Sequence, residues 1–236
     1  MKSSVDQIRT RFDNEVDRFA NLDTGQSATM DAPLVLDLIT HAAAATTPRA
    51  ASVLDIGCGA GNYTLKLLQR LPNLNVTLLD LSQPMLDRAA GRVRSVTTGT
   101  VITRQQDIRQ ADLKDGQFDI ILAAAVLHHL RTDDEWQAVF TKLYRALAPG
   151  GSIWISDLIE HTTAPIQSMM YQRYGDYLSR LKDDAYRQKV FEYIEQEDTP
   201  RPLMFQIDLL RSVGFLDVDI LHKNGVFAAF GGRKPI

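Results

Sequence analysis

The spacing of apolar positions changes period several times along the chain, and each change marks an element. Between residues 3 and 20, Val5, Ile8, Phe12, Val16 and Phe19 recur at helical spacing among Asp, Arg and Glu, which predicts an amphipathic helix. Such an arm either packs over a sheet or closes a binding site as a lid. The polar stretch 21–31 reads as a hinge or loop, and Pro33–Ala45 as a second helix. Beyond it, short apolar runs at Ser52–Ile56, Asn75–Asp80, Thr100–Gln105, Phe118–Ala123 and Ser152–Asp157 predict strands. Amphipathic runs between them, Asn62–Leu71, Gln83–Val96 and Asp133–Leu147, predict helices, the first stopped by Pro72. Strand and helix in alternation imply a parallel sheet with helices on both faces.

The alternation breaks after Glu160. Residues 161–198 form a long helical stretch with Tyr171, Tyr174, Tyr177, Tyr186, Phe191 and Tyr193, which reads as an inserted cap. Its tyrosines either line an aromatic pocket or pack half-buried with their hydroxyls in water. A helix at Leu203–Val213 and a hairpin over 214–221 and 225–230 close the chain. The organisation expected is one domain over 1–236: a helical arm or lid (1–48), a core (49–158), a cap insertion (159–200) and a C-terminal helix with hairpin (201–236).

The richest chemical signal lies at the first strand. Val53, Leu54 and Ile56 enclose Asp55, and Gly57, Gly59 and Gly61 follow where the backbone must turn tightly and approach a ligand. The helix starting near Asn62 would aim its N-terminal amides at that ligand. The second strand ends in Asp80, roughly twenty residues after the glycines, where a doubly wound fold places an acid on a ribose diol. A dinucleotide site would show GxGxxG, but position 62 is Asn.

Three motifs, Leu54-Asp-Ile-Gly-Cys-Gly-Ala-Gly-Asn62, Leu78-Leu-Asp-Leu-Ser-Gln-Pro-Met-Leu86 and Gln105-Gln-Asp-Ile108, resemble the successive motifs of class I S-adenosylmethionine-dependent methyltransferases. Phe118 to Leu130 and Leu147 to Gly151 continue the series in the same order. The resemblance covers about residues 50–157. It implies a Rossmann-like, doubly wound, seven-stranded, mostly parallel sheet with an antiparallel last strand, and S-adenosylmethionine as cofactor with S-adenosylhomocysteine as product. By the same analogy, Gly57, Cys58, Gly59 and Gly61 approach the amino-acid end of the cofactor, with Asp55 supporting its ammonium. Asp80 takes the ribose hydroxyls. Asp107 accepts from the adenine amine, Leu81 and Ile108 sandwich the ring with Met85 nearby, and Ala123 or Ala124 lies beside the methionine moiety.

Methyl transfer asks mainly for in-line placement, because the cofactor carries the activated group. If the acceptor must lose a proton, His128 and His129, beyond the fourth strand, are the imidazoles at hand. Asp157, at the end of the fifth strand, either contacts the acceptor or caps the next segment. No residue is assigned to a metal: the Ala123-Ala-Ala-Val126 run offers no carboxylate ligand, and Asp133-Asp-Glu135 complements a helix dipole. The single cysteine, Cys58, sits in the cofactor turn, which argues against a cysteine-adduct mechanism.

Composition then narrows the partners. The 236 residues, 44% hydrophobic with net charge −3, suit one domain with a substantial core and no general attraction to polyanions. A small-molecule acceptor is expected, with nucleic acid disfavoured. One cysteine, no signal-like N-terminus and no apolar run near the roughly 20 residues of a membrane span point to a cytoplasmic protein, for which the arm makes a homodimer reasonable. Methylation of an O or N atom is the leading expectation. A carboxy-S-adenosylmethionine synthase-like enzyme serving tRNA wobble-uridine modification is the alternative, suggested by Phe12-Asp13, the cap and the Phe-Gly-Gly near the C-terminus. Those enzymes hold the extra carboxylate with an arginine in the helix before the last hairpin, where this chain has Leu209, with Arg211 out of register. A non-catalytic cofactor-binding accessory protein is the third expectation.

Overall fold

The computed structural model describes residues 2–21 and 25–236, so part of the predicted loop 21–31 lies outside the described residues. The amphipathic arm is two helices, α1 (Val5–Asp13) and α2 (Val16–Ala20), where the periodicity predicts one. Ser4 and Gln7 form a reciprocal capping box that starts α1. Asn14 ends it by turning its side-chain amide back onto the Thr10 carbonyl at 2.8 Å, a local bond that competes with helix continuation. Helix α3 (Ala32–Thr46) then leads into the core.

The core elements are β1 (Ser52–Ile56), α4 (Asn62–Leu68), β2 (Asn75–Asp80), α5 (Gln83–Arg94), β3 (Val101–Gln105), β4 (Phe118–Ala124), a 3-10 turn (Leu127–His129), α6 (Asp133–Ala146) and β5 (Leu147–Leu158). After the cap helices α7 (Ala164–Leu181) and α8 (Asp184–Glu197) come α9 (Leu203–Val213), β6 (Leu216–Asn224) and β7 (Phe227–Arg233). The strands form one sheet in the order β3-β2-β1-β4-β5-β7-β6. The first five are parallel, and β7 runs antiparallel to both β5 and β6. The expected sheet, with its antiparallel last strand, is thus present.

Side-chain alternation along β1 sorts the two layers. Val53 faces α3, α4 and α5, packing with Ile39, Leu67 and Val93, while Leu54 and Ile56 face the opposite layer with Phe140, Leu143 and Leu210. Strand β5 is longer than the predicted Ser152–Asp157 because Leu147 pairs with Phe118 before a register shift, so the Ala-Pro-Gly-Gly segment belongs to a bulged strand.

The cap is two helices, since Asp183 breaks the stretch and caps α8 by accepting the Tyr186 amide at 2.7 Å. Its tyrosines build a small core of their own. Tyr174, only 2% exposed, packs with Leu158, Leu178, Ile194 and Val226, and stands edge-on to Phe227. Tyr174 and Tyr177 donate to the carbonyls of Ala28 (3.0 Å) and Ser27 (2.7 Å), fastening the segment before α3 to the cap. Tyr174 and Tyr177 therefore pack, with hydroxyls on backbone carbonyls rather than in water, while Tyr171 and Phe191 line a separate groove.

Candidate functional site

Three positive-φ glycines turn the chain out of β1. Gly57 (φ 60°) has no room for a side chain, since a Cβ there would lie 2.6 Å from a Val126 methyl, whereas a Cβ on Gly59 (φ 49°) would meet nothing within 4 Å. The loop therefore presents bare backbone to an open space at the C-terminal edge of the sheet, at the adjacent strands β1 and β4 where the strand order reverses.

Asp80 braces this loop. Its Oδ2 accepts the Gly59 amide at 2.8 Å and its Oδ1 the Ser82 amide at 2.9 Å, which ties the end of β2 to the glycine turn and to the cap of α5. Burial raises its carboxyl above the usual range, and these backbone amides pull the other way. Asp55 lies deeper, 1% exposed, and accepts the Thr64 hydroxyl at 2.6 Å; burial pushes it up to about 7. Cys58 is a free buried thiol, pushed well up by burial and then by the Asp80 and Asp55 charges.

A cavity opens over this loop. The glycine turn, Asp55, Asp80, Leu81, Met85, Asp107, Ile108 and Ala124 line it together with His129 and Leu130. Ala123 falls behind, buried in the core, because successive strand residues face opposite ways. Asp107 is no solvated loop acid: Arg109 binds both its oxygens, with Nε at 3.0 Å from each. Burial works to raise the Asp107 carboxyl, and the Arg109 hydrogen bonds and charge overcome it, leaving the group below its ordinary value.

The arm supplies two walls of the cavity. Phe12 and Phe19 line the cavity, their rings 5.5 Å apart, and Asn62 donates to the Phe19 carbonyl at 2.9 Å. Arg11 ties α1 to the cap through Glu197 (3.0 Å) and Tyr193, and Arg88 ties α2 to α5 through Asp17 (2.6 Å). The signal for Phe12 and Phe19 was their place on the apolar stripe of the arm, which states burial and not against what. Tyr63 and Ser156 also face the cavity and carry no sequence signature beyond their position in the loop helix and in β5.

The two histidines have different surroundings. His128 is 7% exposed: Asp157 sits on Nδ1, and Asp198 Oδ1 lies 3.5 Å from Nε2 without a hydrogen bond. Burial works against its charge, but Asp157 and then Asp198 outweigh that and hold it up to about 9. Asp157 also accepts the His128 amide (3.1 Å) and the Leu158 amide (2.9 Å), so it braces the turn from behind the cavity. His129 lies at the cavity wall, edge-on to Phe12, with Nδ1 3.3 Å from the Glu197 carbonyl and Nε2 buried without a hydrogen-bond partner. Burial, and then the neighbouring His128 charge, drive it well below its ordinary value. Asp198, from the end of the cap, was not anticipated, since it stands 69 positions from His129 in sequence and nothing local marks it.

Comparison with known proteins agrees with this geometry. Residues 53–151 match a family described as a methyltransferase domain. A demethylmenaquinone methyltransferase of Lactococcus lactis is 25% identical over 189 residues, 78% of this chain and 73% of that protein. A carboxy-S-adenosyl-L-methionine synthase of Campylobacter lari is 24% identical over 213 residues, 85% of this chain and 83% of that one. Several further curated relatives align over about half of their own length or less. Among solved structures, a Burkholderia thailandensis 1,6-didemethyltoxoflavin-N1-methyltransferase with bound S-adenosylhomocysteine superposes with a TM-score of 0.64 at 17% identity, covering 100% of this chain and 92% of that one.

Proposed function

Because this chain belongs to the class I S-adenosylmethionine-dependent methyltransferase superfamily, we propose that it transfers a methyl group to an oxygen or nitrogen atom of a small-molecule acceptor. The observation that carries the reading is one cavity lined together by the glycine loop, Asp80, Asp107 and His129, with Phe12 and Phe19 of the arm. The chain's residues fit the cofactor. The open backbone at Gly59 admits its amino-acid end, with Asp55 below to receive the ammonium. Asp80 keeps lone pairs free for the ribose hydroxyls beyond the two amides it already accepts. Leu81, Met85 and Ile108 supply apolar faces for adenine, and Asp107, fixed by Arg109, accepts from its amine. When bound, S-adenosylmethionine supplies a methyl group already activated on a sulfonium.

The protein's part is then placement and exclusion of water. Of the two imidazoles, His129 faces the cavity and keeps Nε2 free, so it is the one we assign to the acceptor's hydroxyl or amine. His128 and Asp157 position the turn that carries it. The arm, which contributes Phe12 and Phe19, acts as the lid. The unpaired Cys58 suits a reducing cytoplasm.

Release of S-adenosylhomocysteine from a panel of phenols, hydroxy acids and amines tests the reading. Tight cofactor binding with no turnover on any of them would favour the accessory-protein reading. The Campylobacter relative motivates a second reading, a carboxy-S-adenosylmethionine synthase-like activity. Against it, Leu209 is buried in the core, and Arg211 is an exposed residue of α9 facing Asp208 at 3.5 Å. Mass spectrometry after incubation with S-adenosylmethionine and prephenate decides between them.

A further inference from the structure

Where the turn after β4 meets the end of the cap, three side chains bring metal-binding atoms together. Asp198 Oδ1 lies 3.5 Å from His128 Nε2 and 3.3 Å from His129 Nδ1. One donor atom from each of the three residues falls within 4.8 Å of the others. Donors around a four-coordinate ion with bonds of about 2.0–2.1 Å stand about 3.3–3.4 Å apart, close to the two distances from Asp198 to the imidazoles. Those distances are too long for good hydrogen bonds, and Asp198 Oδ1 has no hydrogen-bond partner although the residue is only 3% exposed. A buried carboxylate oxygen without a donor is costly unless a cation completes it.

The surroundings are those of a built site. Asp157 holds His128 Nδ1, the carboxylate–histidine arrangement that orients a metal-binding imidazole and leaves Nε2 for the ion. The backbone is pinned on both sides: Thr199 donates its amide to the His128 carbonyl at 2.7 Å, and Arg131 donates to the Glu197 carbonyl at 2.6 Å. Glu197, Arg11 and Arg131 lie around the group, with Glu197 already paired to Arg11 at 3.0 Å.

We propose that His128, His129 and Asp198 bind a divalent transition-metal ion, with Asp157 orienting His128. Two imidazole nitrogens and one carboxylate oxygen suit zinc and its neighbours better than magnesium or calcium. The ion occupies the wall between the cofactor cavity, which His129 lines, and a neighbouring groove, which Asp198 lines with Tyr171 and Phe191. Binding through Nδ1 leaves His129 Nε2 for the acceptor contact. Metal binding stands apart from the proposed reaction; a role for the ion in holding an acceptor oxygen rests on that reading.

The test is titration of the full chain, stripped with a chelator and dialysed, with Zn²⁺ by calorimetry and with Co²⁺ by visible absorption. One equivalent of Zn²⁺ is expected, together with the intense d–d bands of four-coordinate Co²⁺. Asp198→Asn and His129→Gln should each weaken Zn²⁺ binding by at least roughly 100-fold and Asp157→Asn by about 10- to 100-fold. Circular dichroism reports that the variants are folded, and S-adenosylhomocysteine binding does so for Asp198→Asn and Asp157→Asn, which do not line the cofactor cavity. Folded wild-type protein that binds S-adenosylhomocysteine but takes up no Zn²⁺ overturns the proposal, as does uptake that Asp198→Asn leaves unchanged. Zn²⁺ uptake lost in the variants, by a protein that binds no cofactor, upholds the metal site and overturns the cofactor assignment.

Discussion

Replacing Asp80 with Asn separates the cofactor contact from the support of the loop. In the protein Asp80 accepts the Gly59 amide at 2.8 Å and the Ser82 amide at 2.9 Å, and its charge is buried at 8% exposure. Asn keeps one acceptor oxygen and loses the charge, so one of the two backbone bonds is forfeited while the desolvation penalty disappears. These effects oppose one another, and we expect folding stability to move by no more than about 1 kcal/mol. The ligand sees no such compensation. A hydrogen bond to a charged group contributes about 1.5–3 kcal/mol, so the Kd for S-adenosylhomocysteine should rise by roughly 10- to 150-fold. Calorimetry with S-adenosylhomocysteine and with 5′-methylthioadenosine, which keeps the ribose but lacks the amino-acid end, should show the same factor for both. An unchanged affinity, or a loss confined to S-adenosylhomocysteine, would refute the ribose assignment.

Asp55 is held at about 7 by burial, above its unfolded value of 3.8, so the folded state binds the extra proton between those values and stability falls as pH rises through that window. Asp55→Asn should flatten this slope, worth on the order of 4 kcal/mol, in urea titrations between pH 4 and 8. A cofactor ammonium beside Asp55 would lower its pKa, so calorimetry in buffers of different ionisation enthalpy should show proton release on binding near pH 6.5. Gly57→Ala places a methyl 2.6 Å from Val126 at φ 60° and should cost on the order of 2 kcal/mol in denaturant titration as well as weakening cofactor binding; a neutral effect would mean the turn is not held as described. Tyr174→Phe removes the bond to the Ala28 carbonyl and should lower stability by about 1 kcal/mol while leaving S-adenosylhomocysteine affinity unchanged, because the residue belongs to the cap core and not to the cavity.

Strand β1, the glycine turn, β2 ending in Asp80 and helix α9 were legible residue for residue, because their cues are local: an apolar run, glycines where the backbone turns, a carboxylate at a strand end. The cofactor half of the site follows from them, since a βαβ unit brings Gly59 to Asp80 with little freedom. The break between α1 and α2 turned on Asn14, whose side chain can serve a helix or end it. The roles of Phe12, Phe19 and Asp198 depended on contacts across 43 to 186 positions, such as Asn62 with Phe19 and Arg11 with Glu197. So did the difference between two adjacent histidines. In the sequence they are equivalent imidazoles; in the fold, β5 brings Asp157 to His128, and the arm brings Phe12 to His129. Local periodicity and turn chemistry determined the layered sheet and the glycine turn on it, and the family resemblance pointed to that turn as the proposed cofactor site. Which residues complete the site was decided by tertiary packing, because electrostatic environment and burial are properties of neighbours in space rather than neighbours in chain.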